Sequence, residues 1–113
     1  MSYKIKTTSY FEAEVKRLSK RYRSIKKDLS DFLKSLNENP LQGTEIAPRI
    51  YKMRMAISSK GKGKSGGARI ITYNNILLSE KDGTIYLLII YDKSEASNIK
   101  IDVIKAIVKE LDL

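Results

Sequence analysis

The sequence predicts a single α+β domain, and three observations point to it. Apolar residues recur at helical spacing in three segments, strand-like runs rich in β-branched and aromatic residues cluster between Arg49 and Lys93, and 113 residues suit one core. The expected architecture is a helical hairpin packed on a small antiparallel sheet, in the order β-α-α-β-β-β-α, spanning residues 1–113 without a linker.

YKIKTT alternates and predicts a short strand, after which Ser9 can cap a helix through YFEAEVKRLSKRY. Phe11, Val15, Leu18 and Tyr22 share one side of that helix. Arg23 and Ser24 punctuate, with Ser24 as the next N-cap and Asp28 placed early, where a carboxylate favours the helix dipole. Ile25, Leu29, Phe32, Leu33 and Leu36 form the second stripe, which stops at NENP because Pro40 cannot continue a helix. Three strand-like segments follow, RIYKMRMAIS, ARIITYNNIL and TIYLLIIYDK, the last two joined by a turn at residues 81–83. They read as an antiparallel meander whose third strand, apolar on both faces, lies at the centre. ASNIKIDVIKAIVKELDL closes the chain as a helix with Ile101, Ile104, Ile107, Val108 and Leu111 on one side.

Composition narrows the chemistry. The chain has no Cys and no His, which removes disulfides, thiol nucleophiles, most zinc chemistry and the usual base at neutral pH. No metal or cofactor is expected. The longest apolar run, IYLLIIY, is far too short to span a bilayer, and no signal-peptide pattern opens the chain, so the expectation is a cytoplasmic protein without a membrane partner. Lys and Arg outnumber Asp and Glu by 22 to 13, a net charge of +9 that attracts polyanions, nucleic acid first and an acidic protein second. Residues 46–79 contain no acid but carry Arg49, Lys52, Arg54, Lys60, Lys62, Lys64 and Arg69. Residues 16–27 carry seven cations and no acid, a pattern that a solvated helix face also produces.

SSKGKGKSGGARII contains Gly63-Lys64-Ser65, which invites a phosphate-loop reading. Ser58 stands where that motif needs its first glycine, and ARIITY reads as a strand where a helix should open, so the reading fails on pattern and on context. The stretch is instead a glycine-rich connection between two strands, with Lys60, Lys62 and Lys64 projecting from a mobile tip. Strand periodicity puts Lys52 and Arg54 on one face, Arg69 with Ile71 and Tyr73 on another strand's face, and Tyr91 with Lys93 on a third. If those faces coincide, they form a cationic cleft with aromatic rings, suited to phosphates and splayed bases. Lys52 and Arg54 serve equally as guards of a sheet edge, and Arg69 as half of a structural ion pair.

The ordered set of a strand, a basic helical hairpin ending in NP, then IYKMRMAI, GGARIIT, IYLLIIYDKSE and a last helix resembles the RelE/ParE superfamily of toxins from type II toxin–antitoxin systems. The likeness runs over nearly the whole chain and is nearest the RelE-like branch. It implies a ribosome-dependent endoribonuclease, an mRNA interferase, that cuts messenger RNA and arrests translation, with a cognate antitoxin, the ribosome and mRNA as partners. It implies catalytic roles for Lys52, Arg54, Arg69 and Lys93, and leaves Arg49, Lys60, Lys62, Lys64 and Tyr73 for RNA or ribosome contact. Some members use a histidine, absent here, and others a tyrosine after the last strand, where this chain has Ser97, Asn98 and Ile99; Tyr91 is the neighbouring candidate. The alternatives are a ParE-like inhibitor of DNA gyrase and a non-catalytic nucleic-acid-binding module.

Overall fold

The computed structural model describes residues 3–113 as an α+β fold of three helices and one five-stranded mixed sheet. Strand β1 (Lys4–Thr7) leads into α1 (Ser9–Arg21) and α2 (Ile25–Glu38); β2 (Thr44–Ala47), β3 (Ile50–Met55), β4 (Ala68–Leu77) and β5 (Asp82–Asp92) follow, and α3 (Ile101–Glu110) closes the order. The spatial order is β1-β5-β4-β3-β2.

Four features depart from expectation. The sheet is not purely antiparallel, because β1 pairs in parallel with β5, with Ile5 opposite Ile85. β4, rather than the doubly apolar β5, is the central strand, although β5 is still flanked on both sides. An additional strand, β2, borders β3 from Thr44 opposite Lys52 to Ala47 opposite Ile50. The β4–β5 turn falls earlier than residues 81–83, on a 3-10 turn at Leu78–Glu80 with Lys81 in the left-handed region.

The helical stripes bury as their spacing requires. The α1–α2 hairpin covers one face of the sheet, packing Phe11, Leu18, Ile25, Phe32 and Leu36 on Met53, Ile70, Leu87 and Ile90. Thr8, one residue ahead of the expected Ser9, caps α1 by accepting from the Phe11 amide at 3.0 Å. Ser24 stands before α2 as expected but makes no capping bond; its hydroxyl donates to Asp28 and accepts from the Ser59 amide. Helix α3 starts at Ile101 and buries Ile104 and Ile107 against Ile50, Ile71, Leu88 and Tyr91 on the opposite face. A register shift between Ile71 and Thr72 lets both Leu88 and Ile89 contribute to that second core. Because α3 is short, it leaves one end of its face open.

Candidate functional site

Strand register builds a row across that open end. Arg54 on β3 lies opposite Arg69 on β4, and Arg69 lies opposite Tyr91 on β5, so all three project from the same face. Lys52 sits in the next row, opposite Ile71. The faces left separate by sequence periodicity therefore coincide.

The result is a cleft of about 620 Å³ whose walls include Lys52, Arg54, Lys64, Arg69 and Lys93, with no Asp or Glu among the lining residues. Arg69 forms its floor. Its residue exposure is 5%, yet none of the ion pairs among the described residues includes it. Backbone carbonyls hold the guanidinium instead: one terminal nitrogen donates to Lys64 at 3.1 Å and Ala68 at 3.3 Å, the other to Ser65 at 3.3 Å. A guanidinium has five N–H donors, so Nε and one Nη2 hydrogen are left for a ligand. The structural ion pair considered from sequence is not what holds Arg69. Lys52 donates to Asn98 Oδ1 at 3.1 Å, which tethers the segment after β5 to the cleft wall.

The glycine-lysine connection is anchored by more contacts than its composition suggests. Ser58 is fixed by Asp28, which accepts from both its amide and its hydroxyl. Lys60, expected at a mobile tip, is turned inward: its Nζ lies 2.8 Å from Asp92 Oδ1, with side-chain exposures of 8% and 0%. Tyr22 donates to Asp92 Oδ2 at 2.6 Å, and the Lys60 ammonium lies 5.5 Å from the Tyr22 ring centroid. Burial alone would raise the Asp92 carboxyl, but the bonds from Lys60, Tyr22 and Ser94 outweigh it and hold the group far below the usual carboxylate range. At the other end Gly67 passes so close to the Met55 carbonyl that a Cβ there would collide with it. The loop is thus pinned at both ends, and the carbonyls of Lys64 and Ser65 are set against Arg69. Sequence reading missed this pinning because Asp92 lies 32 residues from Lys60 and reads as the end of a strand.

The remaining candidates divide. Lys64 and Lys93 line the cleft, whereas Lys62 is exposed on the turn beside it. Tyr91 shares the row with Arg69 but lines a separate hollow with Tyr10, Arg17 and Glu95. Its hydroxyl is buried without a partner, and burial raises its pKa against the opposing pull of Arg69, which keeps it a neutral phenol. Tyr73 is taken up by the second core, its ring 6.5 Å from that of Tyr86. Arg49 lies toward the far end of the sheet, in the turn after Pro48, with φ 65° and a 3.0 Å bond to Asn75. The basic run of residues 16–27 is partly neutralised, since Arg17 and Arg21 share Glu95 and Lys27 meets Asp31. No protein-family model matches the chain.

Proposed function

We propose that the chain is a RelE-like toxin of a type II toxin–antitoxin system, an endoribonuclease that cuts messenger RNA on the ribosome. The observation that carries this reading is the carboxylate-free cleft with a buried, carbonyl-held Arg69 at its floor. Such a site attracts a polyanion and holds positive charge in place before any substrate arrives.

RNA supplies its own nucleophile. The 2′-oxygen attacks the adjacent phosphorus, the bond from phosphorus to the 5′-oxygen breaks, and a 2′,3′-cyclic phosphate and a 5′-hydroxyl result. The free N–H donors of Arg69, with Arg54 beside it, neutralise charge gathering on the phosphoryl oxygens. The ammonium groups of Lys52 and Lys93 are the acids at hand for the departing 5′-oxygen, and the 2′-hydroxyl proton passes to solvent. With neither His nor carboxylate in the cleft, positioning of the message by the ribosome supplies a large share of the rate. The strong positive charge also suits an acidic antitoxin as the neutralising partner.

Expression without a partner should stop growth by stopping translation. Uptake of labelled methionine is expected to fall before thymidine incorporation does; the reverse order would move the reading to a gyrase inhibitor.

A further inference from the structure

A second hollow of about 270 Å³ adjoins the cationic cleft and shares Gln42, Arg54 and Lys64 with it. The two meet at the edge of β3: β2 pairs with β3 only as far as Lys52, so among the described residues no strand pairs with Met53 to Met55 on that side. The second hollow lies over α2. Phe32 and Met55, both almost fully buried, form its apolar floor. Its polar rim sets the cations Arg54 and Lys64, on the side shared with the cleft, beside acceptors on Gln42 and Asp31. Gln42 spends its amide hydrogens on Ser35 and the Asn39 carbonyl, which leaves its Oε1 as an acceptor. Asp28 already accepts three bonds from Ser24 and Ser58, whereas Asp31 is exposed and, among the described residues, meets only Lys27, through Oδ2 at 3.1 Å.

We propose that this hollow is a guanine subsite for the nucleotide whose phosphate lies in the cationic cleft. The inference rests on the RNA reading above and names the base preference of that same interface. An apolar floor accepts the flat face of a base, and rim acceptors select the base whose pairing edge presents adjacent donors. Guanine offers N1–H and the N2 amino group side by side, which a carboxylate meets with two parallel bonds; adenine and cytosine offer only one amino group, and uracil one N–H. Arg54 and Lys64, on the shared wall, hold the linking phosphate at the junction.

The test uses the full chain and the four 5′-monophosphates GMP, AMP, CMP and UMP, with inorganic phosphate alongside, titrated against backbone amide and arginine Nε signals in nitrogen-15 correlation spectra. GMP is expected to bind about tenfold more tightly than the others and to shift Phe32, Asp31 and Gln42 together with Arg69. D31N is expected to bring GMP to the affinity of UMP while inorganic phosphate binds unchanged, and far-ultraviolet circular dichroism on the same sample checks the fold. Equal affinities for the four nucleotides, with shifts confined to the cleft, would overturn the guanine subsite and leave the RNA reading standing. If neither phosphate nor any nucleotide moved the Arg69 signal, both would fall.

Discussion

Arg69 is a buried cation that no ion pair among the described residues neutralises. Its guanidinium is held by three carbonyls, whose dipoles offset part of its field, but no carboxylate lines the cleft to cancel the charge. Replacing Arg69 by Ala is expected to cut the cleavage rate by about 10²–10³, the usual loss when one preorganised donor to a developing oxyanion is removed. Arg69→Lys should recover little, because an ammonium cannot satisfy the same carbonyls in one plane and still present two donors. Rates and circular dichroism on one preparation of each variant check this. Arg69 stood out in sequence as a cation entering an apolar strand after two glycines, and strand register sets it in the cleft beside Arg54. Its partners were not legible in sequence, since main-chain carbonyls of a loop carry no sequence signature. Lys60 misled for the complementary reason: it opens the glycine-rich run at Gly61, and its partner Asp92 lies far away in sequence, at the end of β5. Lys60→Met should destabilise the fold by about 3–5 kcal/mol, since Asp92 would stay buried without its ammonium; urea unfolding measures it. The folded Asp92 carboxyl is depressed from an ordinary 3.8, so its contribution is fully present above about that pH and drains away as pH falls below it. D92N should flatten that acid limb of stability while lowering stability at neutral pH.

At the level of elements, helices were the easiest to read, because each carries its own periodic stripe. Phe11, Leu18, Ile25, Phe32, Leu36, Ile104 and Ile107 are all buried where the spacing puts them. The sheet was half legible. The three long strands follow from composition, but the parallel pairing of β1 with β5 joins residues 80 apart, and β2 is four residues with an exposed Glu45. The last helix starts at Ile101, with its apolar stripe, rather than at Ala96 where the expected segment begins, because the chain first turns back on Asp92, whose carbonyl accepts from the Glu95 and Ala96 amides while Arg17 and Arg21 hold Glu95. That detour places Ser97 and Lys93 at the mouth of the cleft and Asn98 against Lys52. The loop between β3 and β4 then has two kinds of lysine. Replacing Lys62 and Lys64 together by Ala should weaken ribosome or RNA binding more than it slows saturated cleavage, because both are exposed. The salt slope of binding to single-stranded RNA should flatten by about 0.7 for each phosphate that is no longer neutralised. Binding across a salt series, paired with cleavage at saturating ribosomes, separates the effects; an unchanged slope with collapsed cleavage would put the loop in the chemistry.

On the scale of the whole molecule, charge is sorted by position. The hairpin's cations are partly paired with Glu14, Asp31 and Glu95, while the cleft has no carboxylate in its lining, so excess positive charge gathers at that end of the sheet. The acid-free span of residues 46–79 announced that concentration, but only strand register could show that Arg54 and Arg69 stand side by side and that Arg49 lies elsewhere. The most direct measurement adds the purified protein to a translation reaction and maps the ends of the message. The expected result is cleavage only where ribosomes are present, at positions they occupy, leaving 2′,3′-cyclic phosphate and 5′-hydroxyl ends and disappearing with Arg69→Ala. Intact message at protein concentrations that block supercoiling by gyrase would contradict it.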